Sequence, residues 1–253
     1  MFTPTTTDPV SVPLKEHPVV SQDVWLAERK KLLAGEKELT RLQDEVNEQR
    51  RALPWVRVEK DYVFDTADGP KKLADLFQGR NQLLVYHFML TPGDDHICGG
   101  CSLLSDHVDA ARQHFEHADL SFVAVSRAPL EQIQAVKKRM GWKFKWVSSG
   151  DSDFNYDFGV SFRPDQKERE YNYAPLDGYD GEDLHGTSVF VKDRTGEIFH
   201  TYSCYSRGNE RLAGIFHYLD LVPKGRNEQS TMSWVELHDE YGEKNEGGSC
   251  CGC

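Results

Sequence analysis

Residues 82 to 90 read QLLVYHFML, a nearly unbroken apolar run. A strand that faced water on one side would alternate apolar and polar residues, so this one needs cover on both faces. That demand points to a sheet held between helices. A second such run, LSFVAVS, follows at 120 to 126. Between the two lie the loop TPGDDHI and a helix expected from about Cys98 to His117, with Leu103, Leu104, Val108, Ala111 and Phe115 on one face. The unit is therefore βαβ, whose two strands are parallel.

The rest of the chain extends this pattern. PLEQIQAVKKRM has Pro129 at a helix start and amphipathic spacing, FKWVS reads as a short strand, and DFNYDFGV as a helical turn. TSVFVKD and EIFHTYSCY are strands joined by the turn signal RTG, and NERLAGIFHYLDL closes the pattern as a helix before Pro223. Residues 161 to 185 are polar and broken by Pro and Gly, which predicts a long surface loop.

Upstream, residues 1 to 20 have no period and read as a loose arm. From Ser21 to residue 53, Trp25, Leu26, Leu32, Leu33, Leu39, Leu42 and Val46 recur at helical steps, until Pro54 ends the helix. Its apolar face packs on its own domain or forms a homodimer seam. The expected organisation is an arm (1–20), a long helix (21–53), an α/β domain (54–222) and a C-terminal extension (223–253) whose tail GEKNEGGSCCGC has linker composition.

A formal charge of -11 disfavours nucleic acid, since binding phosphates needs clustered Lys and Arg. No basic segment leads into an apolar core at the N-terminus, and no apolar run approaches the roughly 18 residues of a membrane span. The cytoplasm is the expected location, with no membrane partner. There, six cysteines point to thiol chemistry or metal binding rather than structural disulfides. Dinucleotide and P-loop glycine patterns are absent, so no organic cofactor is expected.

The chemistry concentrates in DDHICGGCSLL, residues 94 to 104. A cysteine in the first turn of a helix sits where unpaired N–H groups and the helix dipole favour an anion, which lowers its thiol pKa. Cys98 is the expected nucleophile. Cys101, one turn on, is the resolving thiol that attacks a mixed disulfide on Cys98. Asp94 and Asp95 oppose thiolate formation and a protonated His96 favours it. Gly99 and Gly100 leave the sulfurs open. A CxxC is also half of a zinc site, but the second half is missing, so no metal ligands are assigned.

Other residues have plainer roles. His87 within its apolar strand reads as a core histidine, Cys204 as a buried inert thiol, and Arg127 and Arg207, which flank strand ends, as surface ion-pair formers or else as binders of an anionic substrate. Cys250, Cys251 and Cys253 end the tail as an idle terminus, a thiol relay to Cys98 and Cys101, or a clamp for soft metals. Adjacent cysteines close only a strained ring, so Cys253 pairs more easily with Cys250 or Cys251.

The stretches RRALPWVRVEKDYVF, LADLFQGRNQLLVYHFML, CGGCS, VSRAPL, RMGWKFKWVSS, DFNYDFGVSF, GTSVFVKD and HTYSCYSRG together resemble the bacterial DUF899 proteins, a thioredoxin-like group, from about residue 20 to 241. The resemblance implies a thioredoxin-like three-layer α/β/α sandwich with a central mixed sheet and an N-terminal helical extension. It also implies dithiol-disulfide oxidoreductase activity. Two departures from thioredoxins stand out: Ile97 replaces the aromatic before the first cysteine, and HGTSVF lacks the usual proline, leaving Thr187 in its place as a substrate-facing residue beside His96. The peroxiredoxin pattern PxxxTxxC is also unmet, with Thr91 and Asp95 where Pro and Thr would stand.

The expectation is a thiol-disulfide oxidoreductase acting through Cys98 and Cys101 on a protein or small-molecule disulfide or thiol. The alternatives are a metal-sequestering protein using the tail, a thiol peroxidase and a noncatalytic interaction module.

Overall fold

The computed structural model describes residues 17–150 and 152–241. It divides the chain into two compact units: one combines the N-terminal part to Pro54 with Tyr218–Asn227, and the other holds Trp55–His217 and the chain from Glu228. In the first unit, α1 (Gln22–Arg51) starts where the Ser21 hydroxyl accepts the Val24 N–H at 3.4 Å. None of the residues of α1 is buried; Leu32 and Leu39 are 61% and 67% exposed. No described helix is long and apolar enough to cross a membrane.

The second unit carries β1 (Val56–Arg57), β2 (Val63–Phe64), β3 (Lys71–Lys72), α2 (Leu73–Leu76), β4 (Gln82–His87), α3 (Gly99–Asp106) and α4 (Val108–His117). It continues with β5 (Leu120–Ser126), α5 (Leu130–Met140), β6 (Lys145–Ser148), α6 (Phe154–Asp157), β7 (Glu170–Tyr171), β8 (Ala174–Pro175), β9 (Gly186–Lys192) and β10 (Ile198–Tyr205). Six strands form one sheet in the order β1-β10-β9-β4-β5-β6. β4, β5 and β6 run parallel, while β9 is antiparallel to both β4 and β10. A parallel pair beside an antiparallel hairpin, ordered β10-β9-β4-β5, is the thioredoxin-like arrangement.

β4 is covered on both sides, as its composition requires. Tyr86 and Phe88 join a core with Leu104 and Val108 from α3 and α4 and Ile133, Val136 and Met140 from α5. Leu83 and Val85 point the other way, into a core with Phe64, Leu73, Leu76, Phe77 and Phe154. β5 splits likewise, Phe122 and Ala124 against Val123 and Val125. These two cores make the three layers.

His87 is fully buried in the second core, stacked on Phe154 and Phe158, with Nε2 3.0 Å from the Ser188 hydroxyl. Burial holds its pKa down to about 3, so it stays neutral. Trp142, Phe144, Trp146 and Phe154 are likewise core residues, and Cys204 is buried.

Three expectations are corrected. The helix expected from Cys98 to His117 is two helices, broken at His107. Its Nδ1 bonds the Leu103 carbonyl at 2.7 Å and its Nε2 accepts the Ile215 N–H at 3.0 Å, which pins the break from both sides. The segment 161 to 185 is not only surface: it contains the β7/β8 hairpin and buries Phe162 and Asp183. Within the expected extension from residue 223, the stretch after Glu228 belongs to the domain, because Val235 and Leu237 are apolar and bury themselves in it.

One glycine shows how tightly this sheet is packed. A methyl group at Gly186 would lie 2.7 Å from the Tyr205 ring and 3.0 Å from Val160. Gly186→Ala is expected to cost about 1–3 kcal/mol through overpacking, read as a lower urea midpoint; an unchanged midpoint would show that the ring yields freely.

Candidate functional site

The end of β4 delivers the chain through Thr91–Ile97 to the first turn of α3. Cys98 caps this helix with extended backbone (φ -60°, ψ 115°), and its Sγ accepts the Cys101 N–H at 3.4 Å. The pair is in the thiol form. Cys98 is half-buried, whereas Cys101 is 1% exposed and packs with Leu104 and Phe88.

The two thiols are driven apart in acidity. The Cys101 S–H hydrogen-bonds the Cys98 sulfur and, with the Cys101 and Gly100 backbone N–H groups, lowers the Cys98 pKa against the opposing effect of burial. Burial pushes Cys101 well up, and the Cys98 sulfur adds to the effect. The Tyr86 hydroxyl and the Met89 N–H, 3.5 Å from the Cys101 sulfur, act the other way. Of the two thiols, Cys98 is therefore made the more acidic and Cys101 the less.

Gly99 and Gly100 have a use that composition does not reveal. A methyl at Gly100 would lie 2.9 Å from the Met232 terminal carbon, and one at Gly99 would lie 3.4 Å from the Val235 carbonyl oxygen. The glycines therefore admit the segment 228–241 against the first turn of α3, in place of simply opening the sulfurs to solvent. Leu237 joins the cluster that contains Cys101, Cys98 and Ile97. The segment is fastened at its far end: Arg139 holds Asp239 at 2.7 Å and Glu240 at 2.7 Å, and His238 bonds Asp106 at 2.7 Å.

The other expected site residues are placed differently. His96 is exposed, and its N–H donates to the Asp94 carboxylate at 2.9 Å. Thr187 pairs across the sheet with Tyr86; it is buried and gives its hydroxyl to Asn209. Arg127 is buried, not on the surface, and bonds Asp183, Glu182 and Tyr156. Cys250, Cys251 and Cys253 lie outside the described residues. Among the described residues no group of three or more His, Cys, Asp or Glu comes together to hold a metal ion.

Sequence reasoning missed Tyr86, the Met89 N–H and the pair Met232 and Val235. Tyr86 reads as one more apolar residue of a buried strand, and only the strand register and the depth of Cys101 bring them together. Nothing local marks residues 232 and 235, which come from more than 130 positions away.

The model of the family DUF899, bacterial proteins of unknown function, matches residues 14–241. No curated protein matches the chain. Among solved structures, a cysteine-to-serine mutant of peroxiredoxin Q from Xanthomonas campestris is similar at 16% identity and a TM-score of 0.45, covering 66% of this chain and 98% of that one. Peroxidoxin BcpB from Mycobacterium tuberculosis is similar at 14% identity and a TM-score of 0.42, covering 66% and 97%.

Proposed function

For a chain that belongs to the DUF899 family of bacterial proteins of unknown function, we propose thiol-disulfide exchange through Cys98 and Cys101 on a protein or small-molecule disulfide. The observation that carries this reading is the asymmetry of the pair: a half-buried helix-capping sulfur with lowered pKa beside a buried thiol with raised pKa.

The Cys98 thiolate attacks a substrate disulfide, forming a mixed disulfide and releasing the first substrate sulfur as a thiolate that takes a proton from water. Capping Cys98 removes its negative charge, one of the influences that raised Cys101. The Met89 N–H and Tyr86 hydroxyl then favour the Cys101 thiolate. The Cys101 thiol loses its proton to solvent, and the thiolate so formed attacks the Cys98 sulfur, which releases the second substrate thiolate and closes the Cys98–Cys101 disulfide. Two electrons pass to the substrate.

Two measurements test this. Equilibration in dithiothreitol buffers, followed by alkylation and mass mapping, is expected to give a reversible Cys98–Cys101 disulfide within roughly the -270 to -120 mV span of exchange proteins. A lowered pKa also places thiolate at lower pH, so Cys98 alkylation should reach half its maximal rate below about pH 8.5. A pair that never closes, or a Cys98 that titrates as an ordinary thiol, would remove the reading.

A further inference from the structure

Helix α1 carries an apolar stripe that its own chain leaves open among the described residues. Helices in proteins owe most of their stability to the packing of such a face, yet none of the residues of α1 is buried. Trp25, Leu32, Leu39 and Val46 recur at intervals of seven, and the first three are more than half exposed. A strict seven-residue repeat drifts around a straight helix and stays in line only where two helices wind about each other with a left-handed twist. The repeat therefore suits a second helix. At about 1.5 Å per residue, the 30 residues of α1 offer it a length of about 45 Å.

The charges beside the stripe say which helix. Between the repeat positions on the same face, Leu42 is apolar and Gly35 small, whereas Glu28 and Gln49 are polar, so the apolar seam runs from Leu32 to Val46. In two parallel helices in register, the residue just before each repeat position meets the residue five further on in the partner. For a second α1 this sets Lys31 opposite the partner's Glu36 and Glu45 opposite the partner's Arg50, twice each by symmetry, while Glu38 meets the neutral Gln43. No like charges face each other along these edges. An antiparallel pair with Leu39 on Leu42 would instead put Glu38 against the partner's Glu38 or Glu45. Glu28 is the one charge that faces its own copy, and Lys31 of the same helix holds it at 2.6 Å. Glu36 bonds Arg29 within the helix at 2.7 Å, but both are exposed enough to exchange partners. Exposed ion pairs add little strength, so they set direction while Leu32, Leu39, Leu42 and Val46 supply the burial.

We propose that α1 is a homodimerisation helix, which pairs parallel and in register with α1 of a second copy of this chain. Sedimentation equilibrium of the full-length chain at micromolar concentration is expected to give twice the chain mass. Leu32→Glu combined with Leu39→Glu should reduce it to the chain mass. Lys31→Glu sets carboxylates against each other on both edges of the seam and should weaken association by about tenfold. Adding Glu36→Lys reverses both members of each pair, so association should return to within a few fold of wild type. A wild-type chain that sediments as a monomer overturns the proposal, since α1 is then covered from within its own chain or not at all. A dimer that survives both leucine changes overturns it too, because another surface then holds the copies together. If Lys31→Glu with Glu36→Lys associates no better than Lys31→Glu alone, the parallel pairing is wrong.

Discussion

Cys98→Ser is expected to lower disulfide exchange by about a thousandfold or more, roughly 4 kcal/mol of transition-state stabilisation, without loss of stability. A serine hydroxyl is not ionised near neutral pH, so the nucleophile is gone. The fold has no reason to suffer, because serine is a good helix cap and can accept the Cys101 N–H that the Cys98 sulfur now takes at 3.4 Å. Cys101→Ser should behave differently: the first attack remains, resolution stops, and a mixed disulfide accumulates on Cys98. Steady-state turnover, peptide mapping at residue 98 and urea midpoints separate the two variants. A Cys101→Ser variant that carries no mixed disulfide on Cys98 would mean that the pair does not divide its labour as its acidities suggest.

The parts of this protein legible in its sequence are those fixed by local pattern. Residues 82–90 are apolar at alternate positions on both sides, which is enough to place a strand inside a layered α/β fold, and the structure bears out the mixed sheet. A cysteine directly after such a strand and before a helix announces the site. What stayed hidden depends on contacts between distant residues. The helix break at His107 needs the Ile215 N–H, 108 positions away. The purpose of Gly99 and Gly100 depends on Met232 and Val235. The apolar stripe of α1 marks a helix by its period, but period does not say what covers the stripe, and none of it is buried here.

The site combines two kinds of support. Below Cys98, Tyr86 on β4 and Met89 just beyond its end supply a floor whose polar groups approach Cys101 in an otherwise apolar core. The loop before Cys98 gets its position from side chains. Gln132 donates to the Thr91 and Asp94 carbonyls at 3.3 and 2.7 Å, and the Thr91 hydroxyl donates to Asp183 at 2.7 Å. The loop that leads to Cys98 is thereby tied to the charge balance around Asp183.

That balance rests on Arg127, and Arg127→Met is expected to destabilise the protein by about 3–5 kcal/mol, a fall in Tm of about 6–20 °C for a domain of this size. Arg127 is 8% exposed and Asp183 is 5% exposed. The guanidinium reaches both Asp183 oxygens, at 2.7 and 2.8 Å, and also Glu182 at 2.7 Å and the Tyr156 hydroxyl at 3.0 Å. Removing it strands a buried carboxylate with only the Thr91 and Ser161 hydroxyls as donors. The cost is that of an uncompensated charge, so Asp183→Asn added to Arg127→Met should recover part of it by neutralising the survivor. If the double variant is as unstable as the sum of the two single changes, the pair is not coupled and the loss comes from packing around Tyr156. If the single variant unfolds at the wild-type midpoint, water reaches Asp183 and the network does not hold the Thr91 loop.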